Sequence, residues 1–229
     1  MDALRTSNAL GLFASFYLFG SSMFNMLLGM LAAIPGFVAA FLAPKIVKKF
    51  DKMKVLMLCN LLNVLFGFAI YFSGWENKTL FIILNVLRAA PASIQGVLAF
   101  MFTPDCAEYG RYKSGVSATG ITFAIQTFSV KLTAAISSSL ALFLLGCFGW
   151  ISVQASDFAE LEALNVQQSA MAINGLWIVY ALIPTIGLAI AGIFYLFYKL
   201  NDKDVQIMAK CNSGEITREE AEKQLSRKY

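Results

Sequence analysis

The chain has 229 residues, of which 58% are hydrophobic and only 14% charged, with a mean hydropathy of +0.66. A water-soluble domain carries about a quarter charged residues, so the composition excludes that class and marks an integral membrane protein. The net charge of +4 does not point to a nucleic-acid partner, because the lysines and arginines cluster in short connections between apolar runs, where membrane topology accounts for them. The sequence has no histidine, and Cys59, Cys106, Cys147 and Cys211 form no CxxC pair, so neither a disulfide framework nor a metal site is expected. No catalytic residue is assigned, and the chain is not expected to be an enzyme.

The chain opens without a basic stretch, short apolar run and small-residue cleavage site, so no cleaved signal peptide is expected. The first apolar piece runs from Leu10 to Phe19, and about 14 uncharged residues from Ser7 reach only ~21 Å as a helix. That is too short to cross a bilayer unless Arg5 snorkels, so a truncated helix over about 6–19 is expected. Five runs long enough to span about 30 Å of hydrocarbon follow, at 23–43, 55–74, 79–103, 117–149 and 171–198. Arg88, about nine residues inside the fourth segment of the series, lies within snorkelling range and is expected to be an anchor. Pro35, Pro91 and Pro184 fall inside spans and predict kinks whose freed carbonyls neighbouring helices re-satisfy. One helix over 114–149 would be about 54 Å long, so a break near Gly115 to Gly120 is expected.

The connections alternate in charge. Lys45, Lys48, Lys49, Lys52 and Lys54 crowd 44–54, Arg111 and Lys113 mark 103–116, and seven Lys/Arg lie beyond Tyr198. The opposite side holds a Glu76/Lys78 turn and an acidic 150–170 loop with Asp157, Glu160 and Glu162. The positive-inside rule therefore makes the basic set cytoplasmic, with a plasma-membrane, multi-pass bundle over 1–200 and a cytoplasmic tail over 201–229. Within the tail, Thr217 followed three residues on by Glu220 is a capping box, predicting a short helix through about Arg227 on a solvated stub.

Between Lys113 and Asp157 the one charged residue is Lys131, near the middle of a span. An ammonium there costs roughly 2.5 kcal/mol or more and is retained where it faces a polar cavity or a carboxylate. At 100° per residue Gly120, Thr127, Lys131, Ala134 and Ser138 share a narrow stripe bordered by Phe123, which predicts a polar pathway. No span contains an Asp or Glu, so a partner for Lys131 has to come from elsewhere.

The run Asp105-Cys-Ala-Glu108-Tyr109-Gly110-Arg111-Tyr112-Lys113-Ser-Gly115, followed by Gly120 and then Gln126-Thr127-Phe-Ser-Val-Lys131, resembles the glycoside-pentoside-hexuronide:cation symporter family of the major facilitator superfamily, to which the melibiose carrier belongs. The loop from Pro44 through Val47, Phe50, Asp51 and Lys52 and the segment from Phe197 to Leu200 are also similar to it. The resemblance covers the family's second half: an all-α transmembrane, six-helix half with its first helix truncated and a short cytoplasmic helical tail. It implies a bacterial sugar:cation symporter working by alternating access, with Thr127 and Lys131 beside the cation site and Gln126 and Gln95 at the sugar. Asp105, Glu108, Tyr109, Arg111 and Lys113 are then expected to form a cytoplasmic gate. Where the melibiose carrier has a tryptophan facing the sugar, this chain has Gly96, which puts ring stacking there in doubt. The implied partners are a small sugar, the lipid bilayer and an N-terminal half that binds most of the coupling cation, Na⁺ or H⁺; no other cofactor is implied. Two other readings stand beside this one. A non-transporting membrane fragment or scaffold is disfavoured by the cost of Lys131, and a half-transporter that dimerises would bring two lysines together without an intramembrane carboxylate.

Overall fold

The computed structural model describes residues 3–21, 23–152, 163, 166–227 and 229, with side chains from Leu10 onward. Its described residues form helices without strands. α1 runs over Ala3–Tyr17, α2 over Phe24–Lys49, α3 over Lys52–Ser73, α4 over Lys78–Ser114, α5 over Thr119–Cys147 and α6 over Ala170–Tyr195. Two short helices, α7 over Asp202–Ser213 and α8 over Arg218–Gln224, complete the tail. α2 to α6 are long and apolar enough to cross a membrane, whereas α1, with 15 residues, is about 22 Å long and falls short. The expected acidic loop around Asp157, Glu160 and Glu162, and the side chain of Arg5, lie outside the described residues.

Local signals place the boundaries. Asp51 caps α3 by accepting from Met53 N at 3.0 Å, Asn77 caps α4 through Leu80 N at 3.1 Å, and Ser169 caps α6 through Ala172 N at 3.1 Å. Gly115 ends α4 in the left-handed region at φ 73°, so the turn into α5 falls where helix length demanded a break. The 103–116 segment, expected as a connection, is instead helical: α4 runs through Pro104 to Ser114 and projects beyond the span. α6 contains a π turn, Ile178–Leu182, where Ile183 N–H bonds the Ile178 carbonyl five residues back, just ahead of Pro184. Pro184 has no N–H to continue the α register, and the widened turn replaces the simple kink expected there.

Apolar packing sits mainly at the end of the bundle away from the tail. Leu10, Ala14, Phe19, Phe24, Phe81, Ala141, Leu145, Leu176 and Trp177 form one buried cluster, with Phe81 centred 4.6 Å from Phe19 and 5.9 Å from Trp177. Lys78 Nζ closes the end of α1 by donating to the Phe19 carbonyl at 2.7 Å, the favourable sign of charge for a helix C-terminus. α2 packs on α4, α3 on α4 and α6, and α5 on α1, α4 and the first part of α6. α3 and α6 approach closely at Gly67, where a Cβ would stand 2.3 Å from Thr185 Oγ1.

Candidate functional site

α5 is anchored on one side and free on the others. Ser137, Ala141 and Leu145 are its buried residues, while Ile121, Ile125, Phe128, Ile136 and Phe143 are each more than half exposed. The predicted stripe borders the anchored side. Lys131 is exposed, and no described carboxylate lies within ion-pair distance of it. Thr127 Oγ1 donates to the Phe123 carbonyl at 2.9 Å and Ser138 Oγ to the Ala134 carbonyl at 3.0 Å. With their protons turned back onto the helix, both hydroxyls present lone pairs outward, which suits a cation or the hydroxyl of a polyol. Gln126, half-buried, ties α5 to α4 by donating from Nε2 to the Ala99 carbonyl at 3.3 Å.

Gln95 does not join this stripe. It is only 1% exposed, and its amide is consumed by α3: Asn63 Nδ2 donates to Gln95 Oε1 at 2.8 Å, and Gln95 Nε2 donates to Asn60 Oδ1 at 3.3 Å. Asn60 in turn donates to the Leu188 carbonyl of α6 at 3.0 Å. A three-amide relay thus fixes α3, α4 and α6 at mid-depth, where few competing water bonds exist. Its neighbour Gly96 is turned the other way and lines a shallow apolar groove of about 540 Å³ with Gly36, Phe37, Ser93 and Phe100. Arg88 is likewise internal: expected to snorkel, it is buried, and its Nε and Nη2 have no hydrogen-bond partner.

At the tail end a different cluster assembles. Lys52 Nζ pairs with Asp105 Oδ2 and reaches Asp202 Oδ1 at 3.3 Å. The first N–H of α3, Lys52 N, donates to Asp202 Oδ2 at 2.8 Å, and the first N–H of α7, Asp202 N, donates to Asp51 Oδ2 at 3.3 Å. Two helix N-termini thereby share each other's carboxylates, each placed where the helix dipole favours negative charge. Glu108 accepts from Asn212 Nδ2 of α7 at 2.7 Å, and the Tyr109 ring lies 5.8 Å from that of Tyr229. Arg111 and Lys113 are exposed, away from these pairs. The tail is therefore not a solvated stub. Tyr112, Met208 and Ala221 form a buried contact between α4, α7 and α8, with the Arg218 guanidinium 5.3 Å from the Tyr112 ring centre.

Asp204, 1% exposed, holds the tail together. It accepts from Asn201 Nδ2 at 2.8 Å, Ser226 N at 2.9 Å, Ser226 Oγ at 2.5 Å and Tyr229 OH at 2.6 Å. Burial pushes this carboxyl upward, but the donors from Ser226, Tyr229 and Asn201 outweigh it and hold it below the usual carboxylate range. Tyr229 is pushed up to about 12, by burial first and then by its bond to Asp204.

Of these groups, sequence reasoning missed Lys52, Asp202, Asn212, Asn60, Asn63 and Asp204. Asp51 ahead of an apolar run was legible as a cap. Asn60 and Asn63 stand three apart in an apolar run, which places both on one helix face and was a readable sign of a polar contact between helices.

Comparison with known proteins agrees with this architecture. Residues 3–202 match the family model described as MFS/sugar transport protein. The chain belongs to that family: it is a multi-pass, all-helical membrane protein of the transporter class and not an enzyme. It is 26% identical over 182 residues to an uncharacterized symporter of Bacillus subtilis, covering 80% of this chain and 37% of that protein. It is 27% identical over 179 residues to a glucuronide carrier protein homolog of Escherichia coli, covering 77% and 35%, and 28% identical over 116 residues to an isoprimeverose transporter of Lactiplantibacillus pentosus, covering 51% and 22%. The chain thus spans about a third of the length of the first and second of these relatives and less of the third.

Proposed function

We propose that this chain forms one wall of the central pathway of a sugar:cation symporter, with Lys131, Thr127 and Gln126 facing substrate and coupling cation. The observation that carries the reading is Lys131, exposed at mid-span with no described carboxylate partner. A lone ammonium in hydrocarbon is costly, and a facing six-helix half with its own carboxylates removes that cost. Cation occupancy of those carboxylates then competes with Lys131, so loading releases the lysine and permits the two halves to rock about a midplane site. Na⁺ or H⁺ is the coupling cation, held mainly by the facing half. Gln95 acts from behind, by fixing α4 through the amide relay, and Gly96 leaves room where an aromatic ring would stack.

In this reading the basic end of the bundle and the tail are cytoplasmic. Asp105, Glu108 and Tyr109 gate that side through the tail and the α2–α3 junction, and Arg111 and Lys113 face the other half. The relatives described as an isoprimeverose transporter and a glucuronide carrier protein homolog support a sugar substrate, and the one described as an uncharacterized symporter supports symport. The test is sugar uptake into vesicles bearing the assembled carrier, driven by an imposed cation gradient. Lys131→Ala abolishes accumulation while leaving membrane insertion intact, and Thr127→Ala lowers cation affinity by about tenfold or less, the loss of one hydrogen bond of roughly 1 kcal/mol. Wild-type accumulation by Lys131→Ala refutes the reading.

A further inference from the structure

Between α3 and α6 lies a second groove, of about 440 Å³, lined by Leu58, Leu61 and Val64 of α3, by Gly192 and Ile193 of α6 and by Leu196 just past its end, with Asn60 at its floor. It exists because its floor is made of small groups. A Cβ on Gly192 would stand 2.7 Å from Asn60 Nδ2, and the amide relay holds Asn60 in place from below. Its rims are exposed and apolar at hydrocarbon depth: Leu58 is 57%, Ile193 57% and Leu196 65% exposed.

The mouth of the groove toward the tail is cationic. Asn60 sits against Leu188 and Gly192; toward the tail Lys54 lies six residues before Asn60, about 9 Å at 1.5 Å per residue, and α6 ends at Tyr195, three residues past Gly192, with Lys199 four residues beyond that end. Lys54 shares the helix face of Leu58 and Leu61, being four and seven residues before them. Lys54 and Lys199 are exposed, and neither makes an ion pair with a described carboxylate. Lys52, two residues from Lys54, is in contrast committed to Asp105 and Asp202.

We propose that this groove binds an anionic glycerophospholipid of the tail-side leaflet: an acyl chain lies along Leu61, Val64 and Ala189, and the phosphate sits between Lys54 and Lys199. The charge pattern selects the occupant. A protein segment seated there would bury two unpaired ammonium groups, whereas a lipid phosphate at the interface neutralises them while its chain fills an apolar slot.

The test is native mass spectrometry of the full chain, with whatever subunit it carries, released from nanodiscs of mixed phosphatidylglycerol and phosphatidylcholine. Each lysine near the surface contributes about fivefold to retention of an anionic lipid, so Lys54→Gln with Lys199→Gln lowers phosphatidylglycerol retention by about thirtyfold. Ala189→Leu narrows the slot and lowers retention of both lipids. Lys45→Gln with Lys48→Gln, on α2, serves as the control and leaves the preference unchanged. The proposal is overturned if the Lys54/Lys199 pair retains phosphatidylglycerol like the wild type, or if the control loses as much. Spontaneous disulfide cross-linking of a Leu61→Cys variant across two copies overturns it as well, by giving the groove to a second chain. None of these readouts depends on transport.

Discussion

Replacing Asp204 by Asn removes one charge and almost no volume from the buried centre of the tail. Three donors, Asn201 Nδ2, Ser226 Oγ and Tyr229 OH, converge on Oδ2, and Ser226 N takes Oδ1. An amide offers one oxygen and one NH₂, so at least one donor is left facing another donor. Hydrogen bonds to a charged acceptor are worth about 1.5–3 kcal/mol against about 1 for neutral pairs, and an orphaned buried donor costs a further 1–3. Part of this is offset because the neutral amide is cheaper to bury. The net expectation is about 3 kcal/mol of lost tail docking, roughly two orders of magnitude in the docked-to-undocked ratio. Hydrogen exchange read by mass spectrometry over 201–227, with α3 peptides as the internal reference, measures it directly: the tail peptides exchange faster and the α3 peptides do not. Unchanged protection in Asp204→Asn would refute the assignment of this carboxylate as the centre of the tail.

Titration gives a second handle on the tail. Because Tyr229 is pushed up to about 12, its folded state binds a proton that the unfolded phenol releases near pH 10; docking strength is therefore full below about pH 10 and declines between about 10 and 12, a window that Tyr229→Phe removes. On the acid side Asp204 has the opposite sign, its contribution being present above about pH 4 and lost only as pH falls through its depressed folded value, so Asp204 adds no pH dependence to the protection of the tail, corrected for intrinsic exchange, between about pH 5 and 9. In the bundle, Gly67→Ala places a methyl 2.3 Å from Thr185 Oγ1 and forces α3 and α6 apart, at a cost of about 1–3 kcal/mol. A fall in the midpoint of denaturant-induced unfolding is the measurement, and the double variant Gly67→Ala with Thr185→Ala recovers most of the loss.

How much of this was legible depended on whether the signal was local. Span lengths, the short α1, the Gly115 break and the Thr217 to Glu220 capping box follow from a few consecutive residues, and the helices fall on them. The length of α4 was misread because Pro104 and a run of charged residues look like a connection, and what keeps Ser114 helical is distant: the Tyr112–Met208–Ala221 contact and the Glu108–Asn212 bond. Arg88 misled for the same reason, since snorkelling range says nothing about whether neighbouring helices close over a side chain. For Gln95 the residue type pointed to a polar role, but which helix would consume its amide depended on Asn60 and Asn63, more than thirty residues away.

The contrast between two lysines gives the mechanical division of the molecule. Lys52 has two carboxylates in its own chain, and the reciprocal capping around it joins the α2–α3 junction, α4 and α7. The amide relay adds α6 to the same body at mid-depth. Breaking that body apart would leave charges and amides unpaired at each of these points, so it moves as a unit or not at all. Lys131 lies on α5, which is held to α4 by the Gln126–Ala99 bond and whose buried residues, Ser137, Ala141 and Leu145, all lie in its second half. Among the described residues, Lys131 and the apolar residues Ile121, Ile125, Phe128, Ile136 and Phe143 of this helix remain exposed. Under the proposed function, in which two halves rock about a midplane site, Lys131 would stand on the face turned toward the other half and the tail would travel with the locked body.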